Sequence, residues 1–446
     1  MSAMERLEQF CYEIKSSLNQ EGGLTLTAAR NVVSKINEFL YTTYPNIGTT
    51  ESLGEYRAYF SDFHVFWEKH HKEILDCEID NQKCEKVAES LHTVFVNTDG
   101  EAFRELYNTC GLNKEDICRV RCLTANQDFR GSLDFSMLAK IFKEDNATFD
   151  EELIYGDPTT FINRIGISTK SQNDKRISYA KTIAAFLLEK KCSPYQLIDL
   201  YNRDIFKLRE AIIACQGSGF GYKKTDMFLR DMVVLGVWDN VEGFDKIDVA
   251  SDVNTIKVAL RAGIIKTAIP LVSSFLDIFC HQYIYIEAMN AAAWRRVWEI
   301  WKEKYPLECI ESPCLIDYFV YNVIGKQFCK EILYQFECET HEHTFMWHSI
   351  RNHTCQTCLK KGIKRVSAAP IARMLPCSSD EGYIALRETP YVASLPHDKK
   401  ISNCPFRNIC NDTRHLQPPK SISILGQTGW ATAYATKSEG GGGLMA

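Results

Sequence analysis

The chain has no surplus of positive charge: 52 lysines and arginines stand against 57 aspartates and glutamates, for a formal net charge of −5. A protein coated all over in basic charge is excluded, but a nucleic-acid partner is not, because binding needs only one basic face. Long uninterrupted hydrophobic runs are also missing. The most apolar stretch, 268–294, is broken by Asp277, His281 and Glu287, so it reads as buried helix and no membrane span is expected. The opening Met1-Ser2-Ala3-Met4-Glu5-Arg6 lacks a basic segment followed by an apolar one. No secretory signal is therefore expected, and the location is intracellular: cytoplasmic in a prokaryote, nuclear in a eukaryote. Between 111 and 250 few stretches alternate with period two, which argues against a sheet there. Disorder throughout is excluded too, since 45% of the 446 residues are hydrophobic and 24% charged. That length suits two or three domains.

Cysteine, by contrast, is abundant. Eighteen cysteines without a secretion signal point away from a disulfide scaffold. Those from Cys11 to Cys314 are scattered, as small buried hydrophobes usually are. Those from Cys329 to Cys410 crowd beside histidines, which suggests metal.

Helical periodicity runs through residues 1–110, as in Ala29, Val32, Val33, Ile36 and Leu40. No chemical motif stands out there, and support helices or a partner-binding face are the default. From 111 to 250 the pattern predicts short-looped helices at 133–143, 178–190, 195–202, 205–215 and 223–236. Ser193-Pro194 reads as a helix start. A second helical lobe is expected over 251–335, with two long helices at 268–304. An insertion at 336–403 follows, and then a closing segment at 404–446 whose glycine-rich end has the composition of a flexible tail. The expected fold is all-α and two-lobed, with an extra N-terminal helical region and a small metal-ribbon insertion.

Gly217-Ser218-Gly219-Phe220-Gly221-Tyr222-Lys223-Lys224 lies between two of these helices, and Ser251-Asp252-Val253 follows a helix later. A glycine hairpin between helices leaves backbone N–H groups for a phosphate. A lysine beside it offers an amine nucleophile, and a carboxylate a helix later offers charge control. Asp252 as a helix cap, Lys223 as a phosphate contact and the hairpin as a generic DNA-binding element are the plainer readings of the same residues.

These segments resemble the helix-hairpin-helix DNA glycosylases, the superfamily of endonuclease III and 8-oxoguanine glycosylase. Gly219-Phe220-Gly221-Tyr222-Lys223 matches that family's Gly-hydrophobic-Gly-x-Lys, with the hairpin unit at about 205–236, although its usual Leu-Pro is replaced by Gly217-Ser218. The resemblance implies double-stranded DNA as partner and a target nucleotide rotated out of the duplex. It makes Lys223 the nucleophile at the sugar C1′, with Lys224 one position away as competitor. Asp252 would stabilise the cationic sugar. Gly219, Gly221, Tyr222 and Lys224 would meet the DNA. Leu123-Thr124-Ala125-Asn126-Gln127-Asp128 resembles the segment that fills the gap left by the flipped base, with Asn126 as the wedge and Gln127 second.

The same resemblance extends to iron–sulfur members. Ile324-Gly325-Lys326-Gln327-Phe328-Cys329 resembles the start of their cluster segment, and Cys404-x5-Cys410 resembles its closing pair. This implies a [4Fe–4S] cluster on Cys329, Cys404 and Cys410; with the family's compact spacing lost, the fourth ligand must come from the insertion, and Cys377 is chosen because the zinc pattern below leaves it unclaimed. The insertion carries its own pattern, Cys338-x2-His341-x-His343 and then Cys355-x2-Cys358. Two short chelating pairs about a dozen residues apart read as a zinc ribbon on Cys338, His341, Cys355 and Cys358, with His343 competing for the second place. A single zinc on Cys355, Cys358, Cys404 and Cys410 is the rival arrangement. Three functions remain open: a base-excision DNA glycosylase with lyase activity, a glycosylase for a hypermodified base in antiviral defence, and a noncatalytic DNA-binding protein. The base is not legible, since aromatic candidates such as Phe129, Tyr155 and Phe161 serve equally as core.

Overall fold

The computed structural model describes residues 23–42, 61–104, 106–127, 134–167, 173–269, 283–329, 333–338, 343–347, 368–374, 383–385, 392–394 and 404–410, with isolated positions elsewhere. The chain is mostly helical, as its periodicity predicts. Its helices are α1 (Leu26–Thr42), α2 (Ser61–Leu75), α3 (Asn81–Thr98), α4 (Lys114–Thr124), α5 (Phe135–Glu144), α6 (Glu151–Gly156), α7 (Pro158–Arg164) and α8 (Asn173–Lys190). They continue with α9 (Leu197–Leu200), α10 (Ile205–Ala214), α11 (Tyr222–Val234), α12 (Val253–Ala262), α13 (Tyr283–Lys304) and α14 (Cys314–Tyr318). No described helix is long and apolar enough to cross a membrane.

Two compact units share this chain, one built from residues 1–99, 252–308 and 319–446, the other from 100–251 and 309–318. This differs from the linear division that the sequence suggests. The N-terminal region is no separate body, because α3 turns one stripe toward α13. Cys84, Val87, Ala88, Leu91 and Val94 recur at three- and four-residue steps on that stripe and are buried. Across from them α13 buries Ala293, Trp294, Val297 and Trp301. Asp80 caps α3 by accepting from the Lys83 amide at 3.1 Å, and Asp99 ends the helix at φ 51°. A two-residue pairing of β1 (Glu78–Ile79) with β2 (Ile265–Lys266) ties the chain before α3 to the chain after α12. Of the long helical stretch expected at 268–304, α13 is present, and 270–282 lies outside the described residues.

The same unit contains a π-helical turn, Phe319–Phe328, against α12. Gly325 permits the approach: a Cβ there would lie 2.8 Å from Asn254 Cβ and 3.2 Å from the Val320 carbonyl oxygen. Beyond it a small antiparallel sheet forms, in the order β4 (His343–Trp347), β3 (Leu333–Cys338), β5 (Ala368–Met374). A further hairpin pairs β6 (Tyr383–Ala385) with β7 (Val392–Ser394). Strands β4 to β7 fall within the stretch 336–403. The turn 404–410 is anchored on α3: Ser90 Oγ donates to the Pro405 carbonyl at 2.8 Å and Lys83 donates to the Ile409 carbonyl.

The other unit is held by charge as well as by apolar packing. Asp231 on α11 is buried, and its carboxylate accepts from Arg121 at 3.0 Å, Tyr107 at 3.0 Å and Arg230 at 2.6 Å. Arg230 also pairs with Asp317 on α14, which seats the returning segment 309–318. Two arginines and two aspartates balance, so the unit carries no net buried charge here. The same unit holds an aromatic cluster, with Phe149 5.4 Å from Phe142 and 5.9 Å from Phe161.

Removing one member of a balanced buried network strands its partners without water. Arg230→Met is expected to destabilise this unit by ~3–5 kcal/mol. Cutting the exposed Lys114–Asp239 pair, 2.8 Å apart, costs about 1 kcal/mol or less. Denaturant midpoints for Arg230→Met and Lys114→Ala separate the two, and equal losses would refute the central place of the network.

Candidate functional site

The hairpin begins where α10 stops. Cys215 leaves the helix, and the Ser218 amide returns to its carbonyl at 3.2 Å. Gly217 and Gly219 lie at φ +80° and +77°, the left-handed region that glycine enters without strain. Phe220 between the glycines points inward. Its ring lies 6.1 Å from that of Phe228, which in turn meets Trp238 at 5.6 Å. The loop is therefore anchored by its one apolar residue while its glycines make the turn. Helix α11 then starts at Gly221, and no side chain caps its first-turn amides.

The three hairpin glycines differ in what they need. A Cβ on Gly219 would lie 2.5 Å from a carbon of the Tyr179 ring. Gly217 has room but needs its positive φ. Gly221 has φ −97°, and a Cβ there meets nothing within 4 Å, so among the described residues nothing demands glycine at that position.

Adjacent lysines are treated in opposite ways. Lys223 is exposed. Lys224 is half-buried, with its ammonium donating to the Asn126 carbonyl at 2.6 Å and lying 6.0 Å from the centre of the Tyr179 ring. Before them, Tyr222 is exposed, and its ring covers the Arg209 guanidinium at 5.0 Å. Arg209 itself is buried in a two-point pair with Asp226. Burial pushes the Asp226 carboxyl up to about 6, and the Arg209 guanidinium across from it pulls the other way. One turn back, burial also raises the Cys215 thiol, against a hydrogen bond from Ser218.

The expected wedge residues do not face outward. Asn126 is 0% exposed and Gln127 1%. Asn126 Nδ2 donates to the Ser218 carbonyl at 2.9 Å and to the Tyr179 carbonyl at 3.2 Å. Gln127 and Arg176 exchange bonds, Gln127 Nε2 donating to the Arg176 carbonyl at 3.1 Å and Arg176 Nη1 to the Gln127 carbonyl at 3.2 Å. A 3-10 turn at Ala125–Gln127 directs both amides into the unit, so in this conformation neither is placed to enter a gap in DNA. Of the aromatic candidates, Phe161 is core, Tyr155 is exposed beside Lys181, and Phe129 lies outside the described residues.

Asp252 belongs to the other unit, where it caps α12. Its Oδ1 accepts from the Thr255 amide at 2.8 Å, and its own amide donates to Thr255 Oγ1 at 3.0 Å. Its Oδ2 has a distant contact with Asn254 Nδ2, at 3.4 Å. Behind the cap a buried chain continues. Thr255 Oγ1 accepts from Asn290 at 3.3 Å, Asn290 Oδ1 accepts from the Trp294 indole at 3.0 Å, and the Trp294 ring stacks on Phe406 at 6.4 Å. The cap is thereby linked to the turn between Cys404 and Cys410.

Comparison of the sequence with family models and with curated proteins returned no match. The residues of the site must therefore carry the functional argument alone.

For metal, the cysteine geometry is informative at one pair. Cys338 and Cys358 are both buried with sulfurs 3.6 Å apart. Two thiolates on one tetrahedral zinc, each with a Zn–S bond of about 2.3 Å, lie about 3.8 Å apart. Cys338 ends β3 opposite His343 in register. Cys329 and Cys404 are buried and Cys410 half-buried in the same unit, and Arg261 donates to the Cys329 carbonyl at 3.0 Å. Three expected ligands, His341, Cys355 and Cys377, lie outside the described residues. Among the described residues no three ligating side chains gather around one point.

What sequence reading missed is the support of the hairpin. Tyr179 and Arg209 have no motif of their own, and only the helical spacing of α8 and α10 could have marked them as facing the loop. Their neighbours set the expectation for the glycines. Gly219→Ala suffers both an enforced left-handed φ and the Tyr179 ring, and should destabilise by more than about 1 kcal/mol. Gly221→Ala should leave the thermal midpoint unchanged. A scan of both variants by calorimetry checks this, and equal midpoints would contradict the packing described.

Proposed function

We propose that this protein is a DNA glycosylase with associated lyase activity, acting on a base rotated out of double-stranded DNA. The observation that carries the reading is the hairpin between α10 and α11, which ends in one exposed lysine, Lys223, while its neighbour Lys224 is occupied within the unit. The uncapped first turn of α11 suits a phosphate oxygen. Gly221 suits it as well, since no contact in the chain explains its lack of a side chain, whereas a backbone approached closely from outside does.

In this reading Lys223 gives up a proton to a base and attacks the sugar C1′ through its amine nitrogen. The new C–N bond forms as the glycosidic bond breaks, and the base leaves with the electron pair and takes up a proton. Opening of the sugar then gives a Schiff base that leads to strand cleavage. Asp252 supplies negative charge to the cationic sugar through the carboxylate oxygen not used in the strong cap bond. The S···S distance of Cys338 and Cys358 favours a structural zinc that uses Cys338 over the rival built on Cys355, Cys358, Cys404 and Cys410. A [4Fe–4S] cluster on Cys329, Cys377, Cys404 and Cys410 remains part of the proposal. Its support is that Cys329 and the Cys404–Cys410 turn are held in one unit.

Borohydride should trap a covalent adduct between the protein and duplex oligonucleotides carrying a substrate base. Lys223→Gln should abolish the adduct while duplex binding stays close to normal. An adduct that survives Lys223→Gln and disappears in Lys224→Gln would move the nucleophile by one residue. Asp252→Asn retains a good cap, so its stability should hold while base excision falls by roughly 3–4 kcal/mol of transition-state stabilisation. Excision at the normal rate would remove Asp252 from the chemistry. For the metals, elemental analysis should find about one zinc per chain, lost in Cys358→Ser, and iron lost in Cys404→Ser. Zinc that survives Cys358→Ser would exclude that ligand set.

A further inference from the structure

We propose that Lys224 and Asn126 form an internal clasp that sets the shape of the hairpin, making Lys224 a positioning residue whose charge never reaches the DNA. The inference rests on reading the hairpin as a DNA-binding element, and it assigns these two side chains a role other than direct contact. Four observations converge on it. The Asn126 side-chain amide bridges two carbonyls, that of Ser218 inside the hairpin at 2.9 Å and that of Tyr179 on α8 at 3.2 Å. The Lys224 ammonium, from the helix that leaves the hairpin, reaches back to the Asn126 carbonyl at 2.6 Å. The Tyr179 ring fills the space beneath Gly219 and lies 6.0 Å from the same ammonium. Asn126 and Ser218 are both 0% exposed, so the bond between them forms away from water, where an amide or carbonyl left unmade is costly.

Chemically the clasp is a closed loop. Lys224 polarises the Asn126 carbonyl from one side, and the Asn126 side chain fixes the Ser218 carbonyl from the other. Ser218 in turn accepts the Phe220 amide on its hydroxyl at 3.3 Å. Each end of the hairpin is thus fastened to the 3-10 turn at Ala125–Gln127. A cation also satisfies a carbonyl of that turn. Consecutive residues of one helix cannot share a direction, since they lie about 100° apart. With Lys224 turned into the clasp, Lys223 is the amine left at the surface.

The test uses the full chain with Lys224→Met, which keeps the stem and removes the ammonium, and Lys224→Arg, which restores a donor. Duplex affinity is measured by fluorescence anisotropy over a series of salt concentrations, and hairpin amide exchange by mass spectrometry without DNA. A phosphate contact contributes about 0.9 to the slope of log K against log salt, whereas an internal clasp contributes nothing. Lys224→Met should weaken binding by about tenfold, the worth of a hydrogen bond to a charged group, with the slope unchanged. Exchange over 216–221 should quicken, and Lys224→Arg should recover both. A slope shallower by about one phosphate would overturn the inference in favour of direct contact. Unchanged affinity together with unchanged exchange would overturn it outright. If the unaltered protein binds no duplex at any salt, the DNA reading falls instead, while faster exchange in Lys224→Met would still support the clasp.

Discussion

The buried carboxylate of Asp231 is the constraint on which the helical unit around the hairpin depends. One side chain accepts from Arg121 on α4, Tyr107 in the chain before it and Arg230 on its own helix, and Arg230 extends the pairing to Asp317 on α14. A second pair, Arg209 with Asp226, ties the first half of α11 to α10. Helix α11 therefore has buried charge at both ends of its inward face, and the loop that precedes it inherits the helix's position. Such pairs are poor sources of net stability, since desolvation offsets much of the attraction. What they provide is uniqueness: a helix shifted by one residue would leave several charges buried without partners.

That rigidity has a functional counterpart. To hold a phosphate, as proposed, the hairpin would have to present amides at fixed positions, and a glycine-rich loop cannot supply fixity from its own backbone. Here fixity comes from outside the loop. Phe220 is lodged against Phe228, Tyr179 fills the space under Gly219, and the Asn126 amide holds Ser218. The glycines provide shape, and the neighbours decide which shape. The carboxylate of Asp252 is supported likewise, through Thr255, Asn290 and Trp294 to Phe406 in the Cys404–Cys410 turn. A metal at that turn would act on Asp252 only through packing, which is a structural role.

The sequence was most legible where local rules dominate. The helices flanking the hairpin fall within two residues of where periodicity puts them, and Asp252 caps a helix, the plainer of its two readings. Legibility failed for properties set by distant partners. Asn126 looks like a surface amide because nothing nearby in sequence buries it. Its partners are 53 and 92 residues away. Lys223 and Lys224 are indistinguishable as letters, and a carbonyl 98 residues back separates them. Unit boundaries failed for the same reason, since α3 finds its apolar partner in α13 across the whole of the other unit's sequence.

The glycines show how far such an argument reaches toward function. Gly217 and Gly219 are explained from within, by φ and by the Tyr179 ring. Gly221 is not: its φ is ordinary and the space beside its Cα is open. Glycine costs conformational entropy, and at a helix start serine, threonine, asparagine or aspartate would cap the free amides better. A side-chain cap, however, would occupy the amides that an anion requires. An uncapped, side-chain-free start to α11, beside an exposed amine, is poorer for the folded chain alone than the capped alternative. It is better suited to receiving an anion, because the free amides stay open and no side chain stands in the way.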